Sequence, residues 1–304
     1  MAIVTNALLV ALRTQLSTTF RTSYAAMDAG SFWRNVAMLA PSTSASNTYD
    51  WLGEFPVLAE WIGDRVIKDL KENGYQISNK LFESTVGVKR TALEDDTAGT
   101  YGTIVSSMGQ EAARHPDRLI AALLGLGETA LCYDGQPFFD VDHPVYANND
   151  GTGTAATVSN LTAGAGPAWY LMDCSSAAKP LIFQERTKPE FDSLTDAGTT
   201  ESVFMRDQYL YGTRYRCNAG FGFWQKAHKS RAALTGDTFD TVFAQMQSLK
   251  GDGGRPLGVT PTHILVPPTL RSSANAVVKA ALKAGGETNT NLGAVEVIVT
   301  PWLA

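Results

Sequence analysis

The chain has 304 residues, 44% of them hydrophobic, which supplies enough apolar material for one to three buried cores. Its 25 basic and 30 acidic side chains leave a formal charge of −5 and a pI near 5.4. That balance excludes a dedicated nucleic-acid-binding surface, which carries a basic excess.

Leu8, Leu12 and Leu16, with Leu9 and Phe20, recur at helical spacing, so the chain is expected to begin with a helix. With no compact partner nearby, that helix reads as an arm that packs on something else, and residues 1–40 are expected to be dispensable for the fold. The apolar run Ala7–Leu12 is too short to span a membrane. It also lacks a basic flank and a cleavage signal, so a soluble, cytoplasmic protein is expected. Cys132, Cys174 and Cys217 are odd in number and widely spaced. They fit neither a disulfide framework nor a zinc cluster and suggest a reducing compartment. Asn160-Leu-Thr162 matches a glycosylation sequon, read as chance without a secretion signal. Residues 41–48 are a low-complexity polar linker.

Beyond Trp51 the pattern changes. Arg65–Leu70 and Tyr75–Asn79 flank Lys71-Glu72-Asn73-Gly74. Asn-Gly between two alternating runs is a strong hairpin signal, because both residues tolerate positive φ. Arms of roughly eight residues reach about 26 Å. Their faces are mixed and charged, so the hairpin is expected to project, with Lys71, Glu72, Asn73 and Gly74 at its tip.

Gly99 to Leu131 reads as a helix, with Ile104, Met108 and Ala112 on one stripe and Leu119, Ile120, Leu123 and Leu124 on the next. Pro116 between them is expected to kink or restart it. Asp134-Gly135 then predicts a tight turn, seated by Phe138 and Phe139. Residues 146–168, rich in Gly, Ala, Thr and Asn, read as a boundary or surface excursion. Lys179–Phe191 and Val203–Trp224 are extended, and in the second Val203, Met205, Tyr209, Tyr211, Tyr215 and Cys217 alternate with Arg206, Gln208, Arg214 and Arg216. The final section predicts a helix capped by Asp237, a strand at His263–Val266, and a helix from Pro268 carrying Leu270 to Leu282, closed by Gly285-Gly286. A last strand contains Val295, Val297 and Val299. Strand, helix, strand makes a small α/β lobe.

Asp140, Asp142 and His143 are the first candidates for metal or acid/base chemistry. On a strand the two aspartates share a face and His143 points away, so the three do not converge. Turn capping before Pro144 is the simpler role. Glu94-Asp95-Asp96 suits a helix entry. His115, His143, His228 and His263 share no ligand spacing, and no cysteine sits in a nucleophile signature. Gly251-Asp-Gly-Gly254 lacks the Lys-Ser/Thr ending of a phosphate loop and reads as a turn. No catalytic, cofactor or metal site emerges, and an arm with a charged hairpin suggests a subunit that assembles. The alternatives are a metal-dependent hydrolase using Asp140, Asp142 and His143, and a tail or decoration protein.

Several longer motifs resemble the Mu-like major head subunit family: Tyr49-Asp-Trp-Leu-Gly-Glu-Phe-Pro56, Glu60-Trp-Ile-Gly63, Asn79-Lys-Leu-Phe-Glu83 and Val86-Gly-Val-Lys-Arg90. So do Cys132-Tyr-Asp-Gly-Gln-Pro-Phe-Phe139, Asp142-His-Pro-Val-Tyr146, Lys179-Pro-Leu-Ile-Phe-Gln-Glu-Arg186 and Gly251-Asp-Gly-Gly254. The resemblance implies an α+β fold of the Hong Kong 97 capsid type. Its implied parts are an N-terminal arm (1–48), an extended loop (49–85), a peripheral domain (86–234) and an axial domain (235–304). The peripheral domain would hold a spine helix at about 100–130 and a long strand at about 203–224. In commoner members the segment resembling 235–304 precedes the long peripheral strand; here, as in the Mu-like branch, it ends the chain. The implied function is a major capsid protein, not an enzyme. It would form hexamers and pentamers of an icosahedral shell around the double-stranded DNA of a tailed phage. The implied partners are other copies of the chain, portal, scaffold and decoration proteins, and packaged DNA without sequence preference, with no membrane and no cofactor. The implied location is the virion, after assembly in the host cytoplasm. Lys71 near the loop tip is a conceivable cross-link donor, with no acceptor identified.

Overall fold

A computed structural model describes residues 6–52, 74–94, 100–148, 151–196, 201–283 and 285–303. In chain order these form α1 (Asn6–Asp28), α2 (Trp33–Val36), β1 (Ala37–Pro41), β2 (Ser46–Thr48), β3 (Gln76–Ser78), β4 (Lys80–Lys89) and α3 (Arg90–Glu94). There follow α4 (Thr100–Gly125), β5 (His143–Tyr146), β6 (Ala155–Val158), β7 (Leu161–Thr162), β8 (Trp169–Met172), β9 (Leu181–Leu194) and α5 (Glu201–Arg206). β10 (Gln208–Phe221), β11 (Ala227–Ser230), α6 (Gly236–Gln247), β12 (His263–Val266), α7 (Arg271–Val278) and β13 (Glu296–Val299) complete it.

Helix α4 continues through Pro116 without the expected restart. Proline removes one backbone donor, but Pro116 lies on the buried face. Val105, Met108, Gly109, Ala113, Ile120 and Leu124 bury along the same stripe on either side of it. Packing along the whole face outweighs one lost hydrogen bond. The stripe is rotated by about one residue from the expected one, leaving Ile104 and Ala112 half-buried.

The arm packs on its own chain. Leu16 and Phe20 of α1 are buried in a cluster with Val105 and Met108 of α4. The Ser23 and Ser106 hydroxyls lie 2.8 Å apart. The crossing depends on Gly109: a Cβ there would stand 2.5 Å from the Phe20 carbonyl oxygen and 3.2 Å from the Tyr24 nitrogen. Residues 33–41 are core as well, since Trp33, Val36 and Ala37 join the main cluster and β1 pairs in parallel with β9. The described part of the expected arm is therefore packed into the fold and not detached from it. The polar linker is also partly strand: β2 pairs antiparallel with β3, Ser46 opposite Ser78.

Two larger sheets organise the rest. The first has the order β1-β9-β10-β4, with β10 antiparallel to both neighbours. Tyr209, Tyr211, Tyr215 and Cys217 of β10 are buried, as their alternation predicts. Val203 and Met205 do not belong to that strand. They lie on α5, and the chain turns at Asp207, whose φ of 47° is a left-handed conformation that Asp tolerates.

The second sheet has the order β13-β12-β8-β11-β7. β12 and β13 are parallel, while β8 is antiparallel to β12 and β11. The lobe read from residues 235–304 thus shares its sheet with β7, β8 and β11, and the stretch 146–168 contributes β6 and β7. Helix α6 is capped by Thr235, not Asp237. The Thr235 and Thr238 side chains each bond the other residue's backbone N–H in a capping box. Helix α7 stops short of Leu282 because the Asn289 side-chain amide donates to the carbonyls of Val277 (2.9 Å) and Ala280 (2.8 Å). Those bonds satisfy acceptors that a longer helix would otherwise use. One core spans both sheets, joining Phe183, Tyr215 and Phe221 of the first with Tyr170, Met172 and Leu265 of the second. Among the described residues no helix is long and apolar enough to cross a membrane.

Two substitutions test these contacts. Gly109→Ala should destabilise the subunit by about 1–3 kcal/mol in urea titration, because the backbones of α1 and α4 must part. Gly102→Ala, in the same helix with open space around it, should instead stabilise by about 0.5–1 kcal/mol. Equal effects at the two sites would contradict the close crossing.

Asp117 on α4 is buried and its Oδ1 accepts the Trp33 N–H at 3.0 Å. Burial raises its pKa to about 6, against the opposing hydrogen bonds from Trp33 and Phe32. The folded state then holds the proton more tightly than the unfolded chain. Its contribution is complete below about pH 4 and is lost as pH rises through about 6. Asp117→Asn, which keeps the acceptor, should match wild-type Tm near pH 4 and exceed it by about 2 °C or more at pH 7.5. A Tm difference independent of pH would refute this account of Asp117.

Candidate functional site

The hairpin after α4 is built around its turn. The Cys132 N–H donates to the Gln136 carbonyl at 2.8 Å, the Gly135 N–H to the Cys132 carbonyl at 3.2 Å, and Gly135 has φ 84°. Phe138 and Phe139, both fully buried, fasten this turn to the core. Phe138 stacks on Phe221 at 4.4 Å, and Phe139 lies against Tyr170 at 5.6 Å. Gly127 makes room beneath, since a Cβ there would stand 2.4 Å from the Phe139 ring.

The candidate residues Asp140, Asp142 and His143 do not converge, in line with their alternation along the chain. Asp140 Oδ1 accepts the Val141 N–H at 2.6 Å, and the Asp140 N–H donates to Asn160 Oδ1 at 2.9 Å. Asp142 is exposed, whereas His143 is fully buried and stacked on Trp224 at 3.9 Å and 6°. His143 faces the turn instead: its Nδ1 lies 2.7 Å from Asp134 Oδ2. Cys132 Sγ approaches the other oxygen, Asp134 Oδ1, at 3.0 Å.

The structure therefore gathers Cys132, Asp134 and His143, with one ligand-type atom from each within 4.8 Å of the others. Sequence reasoning assigned Asp134 to the turn alone. The signal that would have found the cluster is the turn itself, which folds Cys132 and Asp134 together, followed by a histidine in the strand it leads to. Burial pushes the Asp134 carboxyl up, but hydrogen bonds from His143 and Cys132 outweigh it and hold the group below its usual range. Burial, then the neighbouring Asp134, pushes the Cys132 thiol up, so it is no nucleophile.

The other titratable candidates have structural partners. His228 Nε2 lies 2.8 Å from the Thr162 hydroxyl, and burial lowers its pKa to about 4. His115 packs between Phe82 and Tyr215, and burial lowers it too. His263 pairs with Glu296 at 3.4 Å, with burial lowering its pKa overall. Burial likewise raises the Cys174 and Cys217 thiols. Gly251–Gly254 is a turn in which Asp252 Oδ1 accepts the Tyr146 N–H at 2.8 Å. Glu94 ends α3, while Asp95 and Asp96 lie outside the described residues.

Of the expected loop tip, Lys71, Glu72 and Asn73 lie outside the described residues, as does the first arm Arg65–Leu70. Gly74 is exposed with open space around it. The expected second arm, Tyr75–Asn79, does not project: Gln76–Ser78 pair with β2, and Ile77 is buried with Tyr49, Leu52, Ile182 and Phe223, because its apolar side chain finds a core cluster within its own chain. Elsewhere on the surface, Phe204 and Met205 of α5 are 75% and 69% exposed, apolar area of the kind that partner subunits cover.

A family model described as the Mu-like prophage major head subunit gpT matches residues 9–303. The chain is 46% identical to the major capsid protein of Escherichia phage Mu over 282 residues, covering 91% of this chain and 92% of that protein. It is similar to the procapsid protein of bacteriophage JBD30, with a TM-score of 0.88 and 55% identity, over 98% of this chain and 100% of that one. It also resembles the capsid of JBD30 decorated with minor capsid protein trimers, at a TM-score of 0.76 and 38% identity over 92% and 93% of the two chains. Fold and relatives together define a structural subunit of a tailed-phage capsid, α+β and of the Hong Kong 97 type, and not an enzyme. Within that class the chain belongs to the Mu-like major head subunit family, whose named members are major capsid proteins.

Proposed function

We propose that this capsid protein assembles as hexamers and pentamers into a closed icosahedral shell around packaged double-stranded DNA. The observation that carries the reading is the match of nearly the whole subunit to a procapsid protein. Residues 1–48 serve as the arm and 49–85 as the extended loop. Residues 86–234 form the peripheral domain along α4, and 235–304 the axial domain, whose sheet extends into β7, β8 and β11.

The loop tip Lys71-Glu72-Asn73-Gly74 lies across a neighbouring subunit, and many modest contacts of this kind add up through multivalency. Burial of Ile77 ties the end of this segment to the body of the subunit three residues after Gly74. A net charge of −5 limits adhesion of the coat to its genome. Decoration by a minor protein, as in the JBD30 capsid with its minor capsid protein trimers, extends to this chain, together with portal and scaffold partners. Assembly takes place in the host cytoplasm and the finished protein resides in the virion.

The test is deletion of Lys68–Asn73, ending before the buried Ile77. The variant should keep the circular dichroism and Tm of the wild type yet give no closed particles in negative-stain microscopy, where the wild type gives hollow shells. Normal shells from the deletion would overturn the role of the loop, and a wild type that forms no shells would overturn the reading itself.

A further inference from the structure

We propose that Cys132, Asp134 and His143 form a buried binding site for a borderline divalent cation of the zinc class. The donor set is a thiol sulfur, a carboxylate and an imidazole nitrogen, which suits Zn²⁺ better than the oxygen-seeking Mg²⁺ or Ca²⁺. Asp134 turns one oxygen towards each partner, 3.0 Å from Cys132 Sγ and 2.7 Å from His143 Nδ1. A tetrahedral Zn²⁺ with bonds of about 2.0–2.3 Å sets its ligand atoms roughly 3.3–3.7 Å apart. Cys132 Sγ and Asp134 Oδ1 need to part by only about 0.5 Å, while the ligand atoms of the three residues, all within 4.8 Å of one another, close onto one centre through a single Asp134 oxygen.

The charge also balances. Binding replaces the Cys132 S–H bond with a metal–sulfur bond and releases one proton to solvent. The Nδ1 proton of a neutral His143 moves to Nε2. One thiolate and one carboxylate then neutralise the two positive charges, so the loaded site carries no net charge into the core.

The site is built in advance. The Gly135 turn sets the spacing of Cys132 and Asp134, and Trp224 holds the His143 ring in a near-parallel stack. The three groups also satisfy one another as a hydrogen-bonded relay, and this is the competing explanation. The relay does not explain His143 Nε2, which lacks a partner among the described residues and would still lack one with a metal on Nδ1. It also employs a thiol, a weak donor, where a hydroxyl would donate better. Coordination gives the sulfur a reason to be there.

Cys132→Ser separates the two, since serine keeps the donor to Asp134 and removes the soft ligand. Full-length wild type and variant would be stripped with chelator, equilibrated with Zn²⁺ alone, desalted and analysed for metal and Tm. The wild type should keep one Zn²⁺ per chain with a raised Tm, and the variant should lose about tenfold or more in Zn²⁺ affinity. Wild type without stoichiometric zinc, or a folded variant that retains as much, would overturn the proposal. Should the variant fail to fold, Co²⁺ added to wild type decides: a thiolate-to-cobalt charge-transfer band is expected, and its absence would overturn the site.

Discussion

Two adjacent phenylalanines carry a disproportionate share of this architecture. Phe138 stacks on Phe221 of the first sheet, and Phe139 packs on Tyr170 of the second. Their backbone is pinned to the turn that follows α4 by the Phe139 N–H to Gly127 carbonyl bond at 2.8 Å and the Phe138 N–H to Ala130 carbonyl bond at 3.2 Å. Aromatic burial is the largest apolar contribution a single residue makes, and here two neighbours direct it to opposite sheets. The long helix, both sheets and the hairpin become one packed body at this point. The carboxylates beside these rings serve that junction through turn and backbone hydrogen bonds, which is why a segment dense in Asp and His lacks a catalytic constellation.

The same economy marks the N-terminal region. A helix read from the sequence as a detached arm lies on the spine helix of its own chain, through a contact that only a glycine at position 109 allows. The chain is anchored at Ile77, shortly after the residues proposed to reach a neighbour. A shell subunit needs both features: a body rigid enough to repeat identically, and extensions whose bases are fixed. Exposed Phe204 and Met205 on α5 are apolar area that the isolated subunit does not cover, as expected for a protein completed by its copies.

Local periodicity made part of this legible. The buried alternation of Tyr209, Tyr211, Tyr215 and Cys217, the turn at Asp134-Gly135 and helix α6 with Phe239, Val242 and Met246 on its buried face all follow from side-chain spacing. What was not legible depends on tertiary contact. Pro116 stays helical because both flanks of its face are packed. Val203 and Met205 continue the alternation of β10, but a left-handed Asp207 separates them from it. Asn289 ends α7 from a distance of more than ten residues. The candidate site followed the same rule. His143 stood out as a residue, but its partners Cys132 and Asp134 reach it only through the turn and the Trp224 stack, and spacing does not encode that meeting. The family motifs supplied the overall fold where periodicity could not.

The central claim is that both sheets and the hairpin share a single cooperative core. Native-state hydrogen exchange on the unassembled subunit tests it directly, by comparing the amides of Tyr170–Met172, Leu181–Phe183 and Phe138–Phe139. A single core predicts that all three groups exchange only through global unfolding, with one common opening free energy and one common denaturant dependence. If the strands of one sheet opened at a clearly lower free energy while the other stayed protected, the two sheets would be separate units and the account would be wrong.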